Sequence, residues 1–312
     1  MTKNDIEPID AVILWVDGDD ENHRQKILPY IEDKQKLQNK KFRTRYDQVN
    51  EIQYTIDSIL KYASYIRNIY IVTDNQTPSF LTKSNAKDTY KNVAVVDHTV
   101  VFSGYEKYLP TFNCRPIESC IYRIPNLAEH FVYFNDDFFL INETKPSDFF
   151  QNGFPVLRGK WLKFDKDIFY KKFKKPRAGH KKIQQKAAQL VGFDKYYNFK
   201  HTPHPLRKST FENYFKANEN VLIDNIKYKF RNATQFTPQG LANHLEIKQN
   251  TCVFKDDLQL MYFRSYKKHL LWYKYKLNTK SKGKLFLGLQ SLDLCPQHIQ
   301  EYILKWLLKR VK

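Results

Sequence analysis

The stretch 131–139, FVYFNDDFF, sets four bulky apolar residues directly against Asn135-Asp136-Asp137 and then resumes its apolar run. Short apolar runs rich in aromatic and β-branched residues, cut by a polar break, read as buried strands. This one ends in an acidic loop. A second example lies near the start, where 10–16, DAVILWV, runs into Asp17-Gly18-Asp19-Asp20. Between the two, residues 50–65 place Ile52, Ile56, Ile59, Leu60 and Ala63 on one helical face, and 68–73 (NIYIVT) reads as another buried strand. Residues 93–96 add a strand and 118–123 a helical piece before Pro125. Alternating strands and helices predict an α/β chain built on a doubly wound, mostly parallel sheet. Ligands of such sheets bind beyond the carboxyl ends of the strands, where both acidic loops fall.

The second half reads differently. Residues 153–200 turn basic and suggest a helical insert, with 180–191 its clearest helix, before the proline-rich HTPHP at 201–205. Residues 206–312 mix helices with polar loops, and the whole of 1–312 reads as one domain with this insert. In the tail, 297–312, Ile299, Tyr302, Ile303, Trp306, Leu307 and Val311 recur at helical spacing among Lys305, Lys309, Arg310 and Lys312. Two readings fit: a basic amphipathic helix lying on an anionic membrane, or a last helix packed on the domain.

The formal net charge of +19 predicts attraction to some polyanion, whether nucleic acid, anionic lipid or an anionic polymer. No RNP, helix-turn-helix or zinc-finger pattern accompanies it, so no nucleic-acid partner is expected. The four cysteines form no C-x-x-C pair and predict neither disulfides nor a structural zinc. With no signal-like N-terminus and no apolar run of about 18 residues, the expectation is a cytoplasmic protein.

Adjacent carboxylates at Asp136 and Asp137 suit a hard divalent cation that bridges the diphosphate of a nucleotide, the competing reading being a helix cap or turn. Asp17 to Asp20 carry a weaker form of the same pattern. His201 and His204, beside prolines, read as a general base or as core polar residues, and less well as metal ligands. Arg231, in KYKFR, reads as a phosphoryl-binding or a surface arginine.

These residues resemble the conserved regions of the Stealth family of sugar-phosphate transferases. The segments 45–81 (RYDQVNEIQYTIDSILKYASYIRNIYIVTDNQTPSFL) and 109–140 (LPTFNCRPIESCIYRIPNLAEHFVYFNDDFFL) are similar to its second region. Trp15 to Asp20 resemble the first region's W-V-N-G-[ST]-D, and His201-Thr202-Pro203-His204 the third region's H-x-P-H. Two departures stand out: Gln48-Val49 replaces the usual D-N, and Leu289-Gln290-Ser291 replaces L-N-D, with Asp293 the nearest carboxylate.

The resemblance implies a fold like that of nucleotide-sugar transferases (GT-A or Rossmann-like) and transfer of a hexose 1-phosphate from a UDP-sugar to a glycan hydroxyl. It also implies a residue-by-residue site. Asp137, His201 and Arg231 would be catalytic; Asp136 and Asp137 would hold Mg²⁺ or Mn²⁺; Asp20, Arg45, Glu51, Asn113, Glu118 and His204 would bind substrate. Implied partners are a UDP-sugar donor, UDP-GlcNAc being one, a polysaccharide acceptor, and contact with the inner membrane and a capsule export complex. An ordinary glycosyltransferase releasing UDP and a noncatalytic capsule-assembly scaffold are the alternatives.

Overall fold

The computed structural model describes residues 7–34, 39, 43, 46–47, 49–167 and 179–312. Its elements run β1 (Ile9–Leu14), α1 (Glu21–Ile27), α2 (Glu51–Tyr62), β2 (Ile66–Thr73), β3 (Val93–Asp97), α3 (Cys114–Cys120), β4 (His130–Phe134) and β5 (Phe138–Leu140). They continue with β6 (Phe150–Gln151), β7 (Phe154–Lys163), α4 (His180–Val191), β8 (Lys195–Phe199), β9 (His204–Arg207), α5 (Lys208–Ala217), α6 (Glu219–Ile226) and α7 (Pro238–Gln249). The last are β10 (Val253–Lys255), β11 (Leu260–Phe263), α8 (Leu270–Tyr275), β12 (Phe286–Leu289) and α9 (Gln297–Val311). Where the sequence reads as one domain, the chain divides into two compact units. The first takes the described residues of Met1–Asp10, His98–Tyr133 and Pro146–Leu258; the second takes those of Ala11–Asp97, Phe134–Lys145 and Gln259–Lys312.

The second unit holds the α/β pattern predicted from the sequence. Its strands follow the order β3-β2-β1, and β2 and β3 are parallel, with Ile69 opposite Val93 and Thr73 opposite Asp97. Helix α2 buries Ile52, Ile56 and Ile59, the face its spacing predicts. A second small sheet, β11-β12-β5, pairs β11 with β12 in parallel and β12 with β5 antiparallel. Gly288 on β12 has no side chain because a Cβ there would lie 2.6 Å from the Tyr262 ring and 2.8 Å from that of Phe138. Below this sheet, Phe139, Met261, Leu287, Ile303, Trp306 and Leu307 share one core cluster. Each such side chain contributes about 1.5–3 kcal/mol of burial.

That cluster decides between the two readings of the tail. Ile299, Ile303, Trp306 and Leu307 of α9 are buried in it, so the helix is the packed last helix and its apolar face is not offered to a membrane. Among the described residues no helix is long and apolar enough to cross a membrane.

The first unit corrects the expected helical insert over 153–200. Among the described residues of this stretch α4 is the one α-helix, beside a 3₁₀ turn at Asp165–Asp167; β7 and β8 pair antiparallel, from Gly159 opposite Phe199 to Lys163 opposite Lys195, and residues 168–178 lie outside those described. Leu157, Trp161, Tyr197 and Phe199 pack in one cluster and Tyr196 with Phe164 and Ala188 in another, and the aromatic residues among them are strand formers. Gly159 permits the close approach, since a Cβ there would sit 2.5 Å from the Asn198 carbonyl oxygen. In the same unit β4 and β9 run antiparallel, with Tyr133 opposite His204.

His244 on α7 ties this unit together through both ring nitrogens. Nδ1 meets the Gly240 carbonyl at 2.6 Å, and Nε2 accepts the Tyr197 amide at 3.0 Å, which fixes a neutral tautomer. Burial pushes its pKa down to about 4. A histidine depressed in the folded state binds fewer protons than its unfolded counterpart, so its contribution is intact above pH 6.5 and is lost as pH falls toward 4. Between pH 7.5 and 4.5, urea unfolding should therefore show a loss of stability that is smaller in His244→Gln than in the parent by about 2–3 kcal/mol. Equal losses in both proteins would contradict this.

Candidate active site

The acidic loop after β4 is held from behind by α2. Thr55 Oγ1 donates to the Asp136 carbonyl at 2.6 Å, and Ser58 Oγ accepts the Leu140 amide at 3.0 Å while donating to the Thr55 carbonyl at 2.7 Å. On the far side, the Leu289 amide donates to the Asp137 carbonyl at 3.0 Å. Backbone anchors hold both flanks of the loop, and its own amides hold the carboxylates: Asp136 accepts from the amides of Asp136 and Asp137, and Asp137 from its own. Glu51 opens α2 and accepts the Val49 amide at 2.5 Å.

Three carboxyl groups thus share one region of the second unit. Burial, and then the neighbouring Asp136 charge, push Glu51 up to about 7. Burial raises Asp136 as well, and raises Asp137 further, with the charges of Asp136 and Glu51 adding to it. Like charges in a desolvated loop each disfavour ionisation of the others, so the free energy of this cluster falls when positive charge enters. Asp293 is a second charge that raises Glu51. Tyr262 belongs to the same region: burial, and then Asp137, push its hydroxyl up to about 12.

The first acidic loop is spent on its own architecture. Asp20 caps α1 by accepting the His23 amide at 2.8 Å, Asp17 accepts the Asp19 amide at 2.9 Å, and Asp19 pairs with Arg24 and Arg43. Gln76 staples the loop through two hydrogen bonds to the Asp17 backbone, at 2.9 and 3.0 Å. Among the described residues no group of three or more His, Cys, Asp or Glu side chains is placed to hold a metal ion. Arg45 lies outside the described residues.

In the first unit, three separated sequence motifs converge. The ring of His201 sits 4.2 Å, centroid to centroid, from that of His180, the first residue of α4. His180 in turn bonds Gln184, one turn along the helix. Burial, then the charges of His201, His204 and Arg115, hold His180 well below the ordinary histidine value. His204 is pushed down to about 3 by burial and then by His201. The charge of Arg115 acts on His180 and also on Glu118, whose pKa burial raises against hydrogen bonds from Tyr133 and Gln239 and the charges of Arg231 and Arg115. Tyr133 donates to Glu118 at 2.9 Å, and Arg231 reaches Cys114 Sγ at 3.7 Å.

Asn113 and Gln235 lock this arrangement. Asn113 caps α3 through the Arg115 amide and donates to Gln235 Oε1 at 2.8 Å. The same oxygen accepts from Arg115 at 3.4 Å and from the Asn232 amide at 3.0 Å. Asn113 and Glu118 are therefore buried structural members of the cluster, whereas His201 is half-buried and Arg231 exposed. Sequence reading missed Arg115, His180 and Gln235. The only sign of them was position: Arg115 sits between two motif residues, and His180 starts the helix that the spacing identifies.

Comparison with known proteins follows the same motifs. Residues 7–35 match the model for Stealth protein CR1, conserved region 1, and residues 45–157 that for Stealth protein CR2, conserved region 2. Over 233 residues the chain is 31% identical to the capsular polysaccharide phosphotransferase cps1A of Actinobacillus pleuropneumoniae, covering 72% of this chain and 60% of that protein. Over 148 residues it is 43% identical to the exopolysaccharide phosphotransferase cps2G of Lactiplantibacillus plantarum, covering 47% of this chain and 41% of that protein. The chain thus spans about 60% or less of the length of these curated relatives. Among solved structures, the galactosyltransferase LgtC with donor and acceptor sugar analogs aligns over 97% of this chain and 96% of its own at TM-score 0.46 and 8% identity, a likeness too distant to establish a shared fold.

If Asn113 is a cap and a support, Asn113→Ala should cost about 1–2 kcal/mol, the loss of an N-cap and of one buried hydrogen bond. The urea midpoint reads this directly. A variant as stable as the parent would assign Asn113 to substrate instead.

Proposed function

The chain belongs to the Stealth family, and from that premise we propose that it transfers a hexose 1-phosphate from a UDP-sugar to a hydroxyl of a surface polysaccharide. In this reaction the acceptor oxygen attacks the phosphorus that bears the sugar. A new oxygen–phosphorus bond forms, the bond from that phosphorus to the bridging oxygen of the diphosphate breaks, and UMP leaves with the electron pair. The sugar–oxygen bond to phosphorus is untouched, and the product is a phosphodiester.

The observation that most supports this reading is the crowding of Glu51, Asp136 and Asp137, whose pKa values are all raised by burial together in one anchored loop region. Acceptor-only oxygen ligands suit Mg²⁺ or Mn²⁺, which sites handling nucleotides bind through one or two carboxylates and the substrate phosphates instead of a closed cage. Asp136 and Asp137 would hold the cation, which when bound neutralises charge on the departing nucleotide. His201 takes the proton from the attacking hydroxyl, His180 against its ring limits the orientations it adopts, and Arg231 offers a charged donor to the transferring phosphoryl oxygens. Glu51, Asp20, Arg45, Asn113, Glu118 and His204 complete or support substrate binding. Of these, Asp20, Asn113 and Glu118 act through the caps and hydrogen bonds described above.

UDP-GlcNAc is one donor in this class, and the acceptor is a growing capsular or exopolysaccharide, the polymers for which the relatives are named. The reading places the reaction in the cytoplasm at the inner face of the plasma membrane, next to an export complex. A polymer linked by phosphodiesters carries a negative charge at each link, which a chain of net charge +19 attracts.

The test is turnover of a panel of UDP-sugars with short glycan acceptors and Mg²⁺ or Mn²⁺. The wild type should release UMP and stop when the metal is chelated. Asp137→Asn and His201→Ala should each slow turnover by about 10²–10⁴-fold with the urea midpoint preserved. Wild-type turnover by His201→Ala would remove the histidine as base, and no turnover across the panel would support a noncatalytic scaffold.

A further inference from the structure

The second unit carries a surface that the transfer chemistry leaves unused. Helix α8 and the π-helical turn that continues it over Lys276–Lys280 lie within 266–284, YKKHLLWYKYKLNTKSKGK. This stretch contains Lys267, Lys268, Lys274, Lys276, Lys280, Lys282 and Lys284 and not one Asp or Glu. At roughly 100° per residue its apolar side chains divide into two arcs. Tyr273 and Leu277 turn inward to the core shared with Phe263, Leu289 and Ile303. Leu271, Trp272 and Tyr275 occupy the other arc and stand 65%, 37% and 53% exposed. Leu271 is the most exposed large apolar side chain among the described residues.

The charges are arranged around that ridge. Lys276 lies over the Trp272 ring at 5.5 Å and Lys280 over that of Tyr275 at 5.9 Å, while Lys267, Lys268 and Lys282 are exposed beside it. Amphipathic lysines of this kind keep their stems on apolar surface and their ammonium groups in water.

We propose that this face docks on an anionic lipid bilayer: Leu271, Trp272 and Tyr275 enter the boundary between headgroups and acyl chains, and the surrounding lysines meet the lipid phosphates. Charge complementarity identifies the occupant, because an anionic bilayer surface attracts a stretch of seven lysines that contains no acidic residue. The leucine at the apex separates a bilayer from an anionic polysaccharide. Lysines and aromatic rings serve either partner, but an aliphatic side chain gains only from leaving water, which a hydrated polyanion does not provide. The proposal moves the membrane contact from the tail helix, whose apolar face is buried, to α8.

The experiment is co-sedimentation of the chain with vesicles of phosphatidylglycerol and phosphatidylcholine, or of phosphatidylcholine alone. No donor or acceptor is present, so the result is independent of the transfer reading. The chain should sediment with the anionic vesicles only, and less at high salt. Leu271→Glu and Tyr275→Glu should each lower the bound fraction by roughly tenfold. Leu190→Glu, a matched charge change at an exposed leucine of α4 in the other unit, should bind as the wild type does. Circular dichroism verifies that each variant is folded. Wild-type binding by Leu271→Glu would overturn the proposal, as would a chain that ignores vesicles yet binds a free acidic polysaccharide through this face.

Discussion

Electrostatic repulsion among Glu51, Asp136 and Asp137 is the constraint around which the second unit is arranged. Burial raises all three carboxyls, and placing them together costs stability that the surrounding fold must supply. It does so through the backbone, with Thr55 and Ser58 of α2 on one side and Leu289 of β12 on the other. The core beneath, from Phe139 to Trp306, keeps those anchors in register. A loop secured in this manner gains from a cation or a cationic partner in a way that a solvated turn does not.

The first unit meets a related problem by different means. His180 and His204 are kept from protonating by burial and then by the charge of His201, and the charges of Arg231 and Arg115 act on the carboxyl of Glu118. Asn113 and Arg115 both donate to Gln235 Oε1, which holds Arg115 in the cluster. Cationic side chains and neutral imidazoles in one cluster suit a site that accepts phosphate oxygens and removes a proton. The carboxylate loop suits the nucleotide end of the same substrate class.

Strands and helices of the α/β portion were legible in the sequence wherever burial is one-sided or complete. FVYF at 131–134 and the Ile52-Ile56-Ile59 face of α2 are plain because their apolar residues have few polar interruptions. Strands β7 and β8 were not, since lysines on their exposed positions mask an aromatic core that exists only once the strands pair. The tail shows the opposite difficulty: amphipathic spacing is the same whether a helix faces lipid or a protein core, and only the packing of Trp306 and Leu307 decides. Asp136, Asp137, His201 and Arg231 stand out in the sequence as motif positions. Asp20, Asn113 and Glu118 were readable as positions but not as caps and supports, because their partners lie in distant stretches or on backbone amides. His180 and Arg115 act through tertiary contacts that no spacing encodes.

The central claim is that phosphorus, not the sugar's anomeric carbon, is the atom attacked, and a donor labelled in its second phosphate tests this most directly. With UDP-sugar carrying ³²P at the phosphate bonded to the sugar, the account predicts that the label moves into the glycan product and that the released nucleotide is unlabelled. Label recovered in UDP, with an unlabelled glycan, would contradict it and assign the chain to glycosyl transfer.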